Sequence, residues 1–216
     1  MLRYALAPVY PDAARSLSLP RTLPGAAGVA VTFDDGPHPE GTPAVLEVLA
    51  AAGAHATFFL IGEQVERRPE LVSRILAGGN AVALHGYRHR LQLRLSSAAV
   101  SDDVQRGLAV VADAAGAAPA LHRPPFGIYS AAGLRAVRQA GLSPLLWSRW
   151  GKDWRKFTSS GRIVQRTTRA VIGGDVILLH DADFYSSRGS YRRTVAALGP
   201  LLSELKRRKL DTVLPV

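Results

Sequence analysis

"GVAVTFDDGPHP", Gly28–Pro39, is the stretch on which the fold turns. Its first half, Gly28–Phe33, is an unbroken apolar run, rich in β-branched residues and too short for a helix. A strand with one face in water alternates apolar and polar residues. A continuous run belongs to a strand covered on both faces, as in a parallel sheet. The second half stops the strand with Asp34, Asp35, Gly36 and Pro37, a turn-forming series. The strand therefore delivers two carboxylates at its C-terminal end.

The same design recurs along the chain. "HATFFLIG" (His55–Gly62), "NAVALH" (Asn80–His85), "ALHRPPFG" (Ala120–Gly127), "SPLLWS" (Ser143–Ser148), "DVILLHD" (Asp175–Asp181) and "DTVLPV" (Asp211–Val216) read as further strands. Between them, helical patterns span Thr42–Gly53, Arg68–Gly79, Ser96–Gly116, Ser130–Gly141 and Ser159–Gly174. The first of these has Thr42 as its expected N-cap, Pro43 in its first turn and Gly53 as its stop. A last helix covers Ser190–Arg208 and is expected to kink or start near Pro200. About seven strand–helix alternations predict an α/β fold with helices outside a parallel sheet, and favour a barrel over an open doubly wound sheet. Residues 26–216 form the predicted single domain; residues 1–25, without clear periodicity, form an N-terminal extension packed on its outside.

The 216 residues carry a net charge of +10, nearly all from arginine, and only four are lysine. A basic face suits anionic polymers or membrane surfaces, but no nucleic-acid motif or aromatic–basic interleaving is present, so no specific nucleic-acid partner is expected. The chain has no cysteine, which excludes disulfides, thiolate catalysis and cysteine–zinc sites. No apolar run reaches the roughly 20 residues of a transmembrane helix. The first 21 residues lack an uninterrupted apolar stretch with a small-residue cleavage site. Both a cytoplasmic protein and a secreted form with its leader removed fit this reading. The oligomeric state is not readable.

In a β/α barrel the active site forms where strands end, and five of the predicted strands end in ionisable residues: Asp34 and Asp35, His85 with His89, Arg123, Asp153, and His180 with Asp181. One Asp with His85 and His89 suits a divalent cation, with positions left for water and the two imidazoles presented by a helical turn. The other Asp is then a free base, held by a guanidinium such as Arg123. In "RPPFG" two prolines fix the backbone, so that the Phe126 N–H is poised to donate to an oxyanion. His180 is the candidate general acid. Asp153 is placed to hold it or to anchor Arg123, and Trp154 to wall the pocket. His38, His55 and His122 read as bystanders.

Together these motifs resemble the polysaccharide deacetylase family, also called the NodB-homology or carbohydrate esterase 4 family. "TFDDGP" (Thr32–Pro37), His85–His89, "RPPFG" (Arg123–Gly127), "DW" (Asp153–Trp154) and "LLH" (Leu178–His180) occur in the family's order from about residue 28 onward. The resemblance implies a distorted (β/α)7 barrel that removes N- or O-acetyl groups from a sugar or polysaccharide with a divalent metal, Zn²⁺ foremost and Co²⁺, Ni²⁺ or Mn²⁺ as alternatives. It makes Asp34 the base, Asp35, His85 and His89 the metal ligands, and His180 the acid tuned by Asp153. Arg123 would hold Asp34, the Phe126 N–H would serve the oxyanion, and Trp154 and Leu178 would line the acetyl pocket. Three positions depart from the family pattern: Gly86 stands for its Ser or Thr, Phe126 for its frequent Tyr, and Trp150 for an Asp.

Three other readings compete. The same machinery suits an intracellular small-molecule amide or acetylated metabolite, which a panel of small acetamides would reveal. A two-His-one-carboxylate face also serves iron oxygenases, at odds with the spare Asp34–His180 pair. A catalytically dead carbohydrate- or nucleic-acid-binding module would bind in a salt-sensitive way without hydrolysis.

Overall fold

Seven strands pair in parallel into one sheet in the computed structural model, which describes residues 2–215. They are β1 (Ala30–Asp34), β2 (Thr57–Leu60), β3 (Ala81–Leu84), β4 (Leu121–His122), β5 (Ser143–Pro144), β6 (Arg149–Trp150) and β7 (Val176–His180). Their spatial order is β5-β4-β3-β2-β1-β7-β6, so the sheet is centred on β2 and its two edges, β5 and β6, leave a seam between them. This is the barrel that the alternation favoured, left incompletely closed, in the distorted (β/α)7 form that the family resemblance implied. Every residue of β1 and β2 is buried, as their continuous apolar character requires. Each fully buried Val, Leu, Ile or Phe in such strands contributes about 1.5–3 kcal/mol.

Among the described residues nine α-helices accompany the strands: α1 (Leu2–Leu6), α2 (Pro11–Arg15), α3 (Gly41–Ala52), α4 (Gly62–Arg67), α5 (Pro69–Ala77), α6 (Ser97–Ala115), α7 (Ala131–Gln139), α8 (Ser160–Thr168) and α9 (Ser190–Arg207). Ser96, Ser130 and Ser159 cap α6, α7 and α8 through their hydroxyls, each satisfying an otherwise unpaired N–H of the first turn. Among the described residues no helix is long and apolar enough to cross a membrane.

Several expectations need correction. Thr42 is not the N-cap of α3, which begins after Glu40; its hydroxyl instead accepts from His38 N and donates to Asp181. Gly53 does end α3, in the left-handed conformation. The helix expected over Arg68–Gly79 is the shorter α5, and α4 precedes it unforeseen. The helix expected to reach Gly174 ends at Thr168. α9 starts well before Pro200 and runs through it. "DTVLPV" is no strand over its described residues: only Thr212 bridges, to Val29, and Val216 lies outside the described residues.

"SPLLWS" is the instructive case. Ser143 and Pro144 pair with β4, and Arg149 and Trp150, just beyond the expected strand, pair with β7, so the expected strand shortens to its first two residues and an unforeseen one follows on the opposite side of the seam. The chain crossing between them cannot bond to both neighbours, and its backbone needs other partners. Leu146 N donates to Pro20 O. The carbonyls of Leu145 and Leu146 each accept from Arg123 at 3.0 Å, and that of Trp147 accepts from Arg21 at 2.8 Å. Arg123, fully buried, is thus also a brace across the opening of the barrel.

Candidate active site

The strand register brings the sequence-predicted residues together. Asp34 lies directly beside His180 across β1 and β7, and Leu84, which precedes His85, beside His122, which precedes Arg123. A cleft of ≈ 210 Å³ opens over these strand ends, lined by Asp34, Asp35, His85, His89 and His180 among others.

The two aspartates differ because their backbones differ. Asp34 still belongs to β1, whereas Asp35 has φ +80°, a left-handed conformation that Asp tolerates better than most residues. Arg123 Nη1 donates to Asp34 Oδ1 at 2.6 Å and to Thr32 Oγ1 at 2.9 Å, while its guanidinium stacks 3.9 Å over the Phe59 ring. Asp34 is therefore paired on one oxygen. Its Oδ2 faces His85 Nε2 at 3.8 Å.

Asp35 Oδ1 is 3.5 Å from His85 Nε2 and 3.3 Å from His89 Nε2. His85 Nδ1 donates to the Arg123 carbonyl at 2.7 Å, which fixes the ring proton there and turns the bare Nε2 toward Asp35. Burial pushes His89 down to about 4, so its ring is neutral at pH 7. For Asp35, burial pushes the pKa up, while the positive charge of His180 favours its ionised carboxylate. Asp35 Oδ1 is buried and has no hydrogen-bond partner. Three buried acceptors face one point without a proton to share, which is costly unless a cation sits among them. Donors about 2.0–2.2 Å from a tetrahedral ion lie about 3.4 Å apart, matching the observed separations. The three residues fit a divalent metal. The segment carrying the histidines is a loop rather than the helical turn expected.

His180 stands opposite. Its Nδ1 is 3.0 Å from Asp153 Oδ1, and its backbone N donates to Asp153 Oδ2. Burial opposes a charge on this ring, but Asp153 outweighs it and raises the pKa to about 10. Asp153 also accepts from Thr194; Arg123 is paired with Asp34 instead.

Trp154 meets the His180 ring edge-on at 5.3 Å, and Leu178 lines the cleft floor with Trp147 and Trp150. Phe126 sits in the turn Pro125–Gly127 with φ +62°, its ring half exposed and edge-on to His89. Tyr185, which the sequence did not flag, stacks on the other side of His89 at 4.3 Å and is tied to Glu63 and Gln64. Asp181 is buried behind the site against Thr42, and burial raises its carboxyl to about 7. His38 and His122 stay outside the cleft. His38 accepts from Glu40 N and Gly41 N and approaches Asp183; His122 is enclosed against Tyr129.

Comparison with known proteins identifies the family. The profile of the polysaccharide deacetylase family matches residues 24–145. A peptidoglycan-N-acetylglucosamine deacetylase of Bacillus cereus is 36% identical over 181 residues, covering 83% of this chain and 82% of the relative. A chitooligosaccharide deacetylase of Bradyrhizobium is 37% identical over 194 residues, 87% of this chain and 88% of the relative. The crystal structure of the Bc1960 peptidoglycan N-acetylglucosamine deacetylase superposes with a TM-score of 0.86 at 29% identity, over 94% of each chain.

Proposed function

The chain belongs to the polysaccharide deacetylase family, a hydrolase acting on non-peptide C–N bonds, and from that premise we propose how its own residues release acetate from an N-acetylated sugar polymer. Asp35, His85 and His89 hold a divalent cation, most suitably Zn²⁺, with Co²⁺, Ni²⁺ or Mn²⁺ as alternatives. Such a cation, when bound, polarises a carbonyl and acidifies water.

Asp34 takes the proton from the water that attacks the acetyl carbon. Arg123 holds one of its oxygens, so the base has a single orientation. The Phe126 N–H donates to the oxygen that gains charge, from a loop already fixed by Pro124 and Pro125. Leu178 and Trp154 enclose the acetyl methyl. His180, protonated at neutral pH because Asp153 stabilises its charge, gives a proton to the departing nitrogen as the C–N bond breaks. Water and amide are thereby converted to acetate and a free amine. Asp153 positions His180 and sets its charge.

The observation that carries this reading is the orphaned Asp35 oxygen between two bare imidazole nitrogens, with a base and a charged acid on either side. The test is acetate release from peptidoglycan, chitin oligosaccharides and a panel of small acetamides. Release from a glycan supports the reading; turnover of small acetamides alone refutes the substrate class.

A further inference from the structure

The loop between the two histidines owes its shape to a residue outside it. Its carbonyls at Gly86 and Tyr87 accept from Gly62 N and Glu63 N. Two of its N–H groups are served by one side chain, Asp103 of α6: Oδ2 accepts from Tyr87 N at 2.9 Å and Oδ1 from Arg88 N at 3.2 Å. Arg90, just beyond His89, donates to the same Oδ1 at 3.0 Å. Asp103 lies on the buried stripe of α6 with Val100, Val104, Gly107 and Val111. One turn on, Gly107 packs so closely that a Cβ would stand 2.8 Å from Tyr87 N. Gly86 has φ +93°, and a Cβ there would come within 3.0 Å of Asp103 Oδ2. The carboxylate and the side-chain-free turn fit each other.

We propose that Asp103 is the positioning residue of the metal site: by anchoring Tyr87 N–H and Arg88 N–H it fixes the separation of the His85 and His89 rings around Asp35. A residue that only packed α6 against the loop would affect stability but not ligand geometry. The inference rests on Asp35, His85 and His89 being cation ligands, and its readout needs no substrate.

The experiment is zinc affinity of the chelator-stripped protein, measured by competition with a chromophoric chelator. Removing such a supporting partner typically weakens metal binding about 10–100-fold, and that is the loss expected of Asp103→Ala. Asp103→Asn keeps one acceptor oxygen and falls between parent and Ala. Ser96→Ala removes the cap of α6 without touching the loop; it lowers stability and leaves zinc affinity at the parental value. Parental affinity in Asp103→Ala, or an equal loss in Ser96→Ala, overturns the proposal. Should the Ala variant not fold, the contrast between Asp103→Asn and Ser96→Ala decides in the same way. A parent that binds no zinc defeats the ligand reading itself, and this inference with it.

Discussion

Replacing Asp153 by Asn removes a charge while keeping an acceptor for Thr194 and for the backbone of His180. His180 is 13% exposed in its side chain, and burial alone would leave its ring uncharged. Asp153 foremost, with Asp35 and Asp34, reverses this and lifts the pKa from 6.5 to about 10, a gap worth about 5 kcal/mol at 1.36 kcal/mol per pH unit. A cation on Asp35 cancels part of that carboxylate's pull on His180, so Asp153 carries most of the effect. In Asp153→Asn, burial returns the imidazole to 6.5 or below. At pH 8 the parent remains protonated, while the variant keeps at most about 3% of the acid form. kcat at pH 8 therefore falls by about 30-fold or more, and the deficit shrinks toward pH 6. The assay is acetate release by zinc-loaded parent and variant between pH 5.5 and 9.5. Stability supplies a second reading. A pKa raised in the folded state stabilises fully below 6.5 and loses that contribution as pH climbs toward 10. The gap in unfolding free energy between parent and variant narrows across this window. An alkaline limb at the same pH in both proteins would refute the assignment of His180 as an acid charged by Asp153.

Two further substitutions probe the frame around the site. Arg123→Met strands the buried Asp34 carboxylate and leaves the Leu145 and Leu146 carbonyls without donors. Urea denaturation should register a loss of about 3–5 kcal/mol together with loss of turnover, and a loss under about 1 kcal/mol is incompatible with a buried brace. Tyr185→Leu removes the ring stacked on His89. An aromatic pair is worth about 0.5–1.5 kcal/mol, so chelator competition should show zinc bound about 2- to 10-fold more weakly; unchanged affinity means the stack does not support the ligand.

The parallel barrel was legible because β1, β2 and β7 are continuous apolar runs, and a strand that ends abruptly in acids or histidine announces its functional end. Asp34, Asp35, His85 and His180 follow that rule and line one cleft; Arg123, also just past a strand end, lines no part of it and reaches Asp34 from behind. The seam was not legible. "SPLLWS" has the composition of a single strand, but its start bonds to β4 and its end to β7, so it is cut short after Pro144 and the chain pairs again only at Arg149. Tyr185 sits five residues beyond β7 in an irregular loop, where no periodicity carries information. Asp103 did leave a trace: an acid at a core position of the α6 stripe, beside Val100 and Val104, is a buried polar group that needs partners. The shape of the histidine loop was missed because it depends on that partner, 14 residues away from His89.

The central claim is that one cation, held by Asp35, His85 and His89, is required to free acetate from an N-acetylated glycan. Acetate release by the chelator-stripped protein, followed as zinc is returned, addresses it directly. The account predicts no release when stripped and full recovery near one zinc per chain, with Asp35→Ala silent throughout. Undiminished hydrolysis by the stripped protein, or recovery in Asp35→Ala, would contradict it.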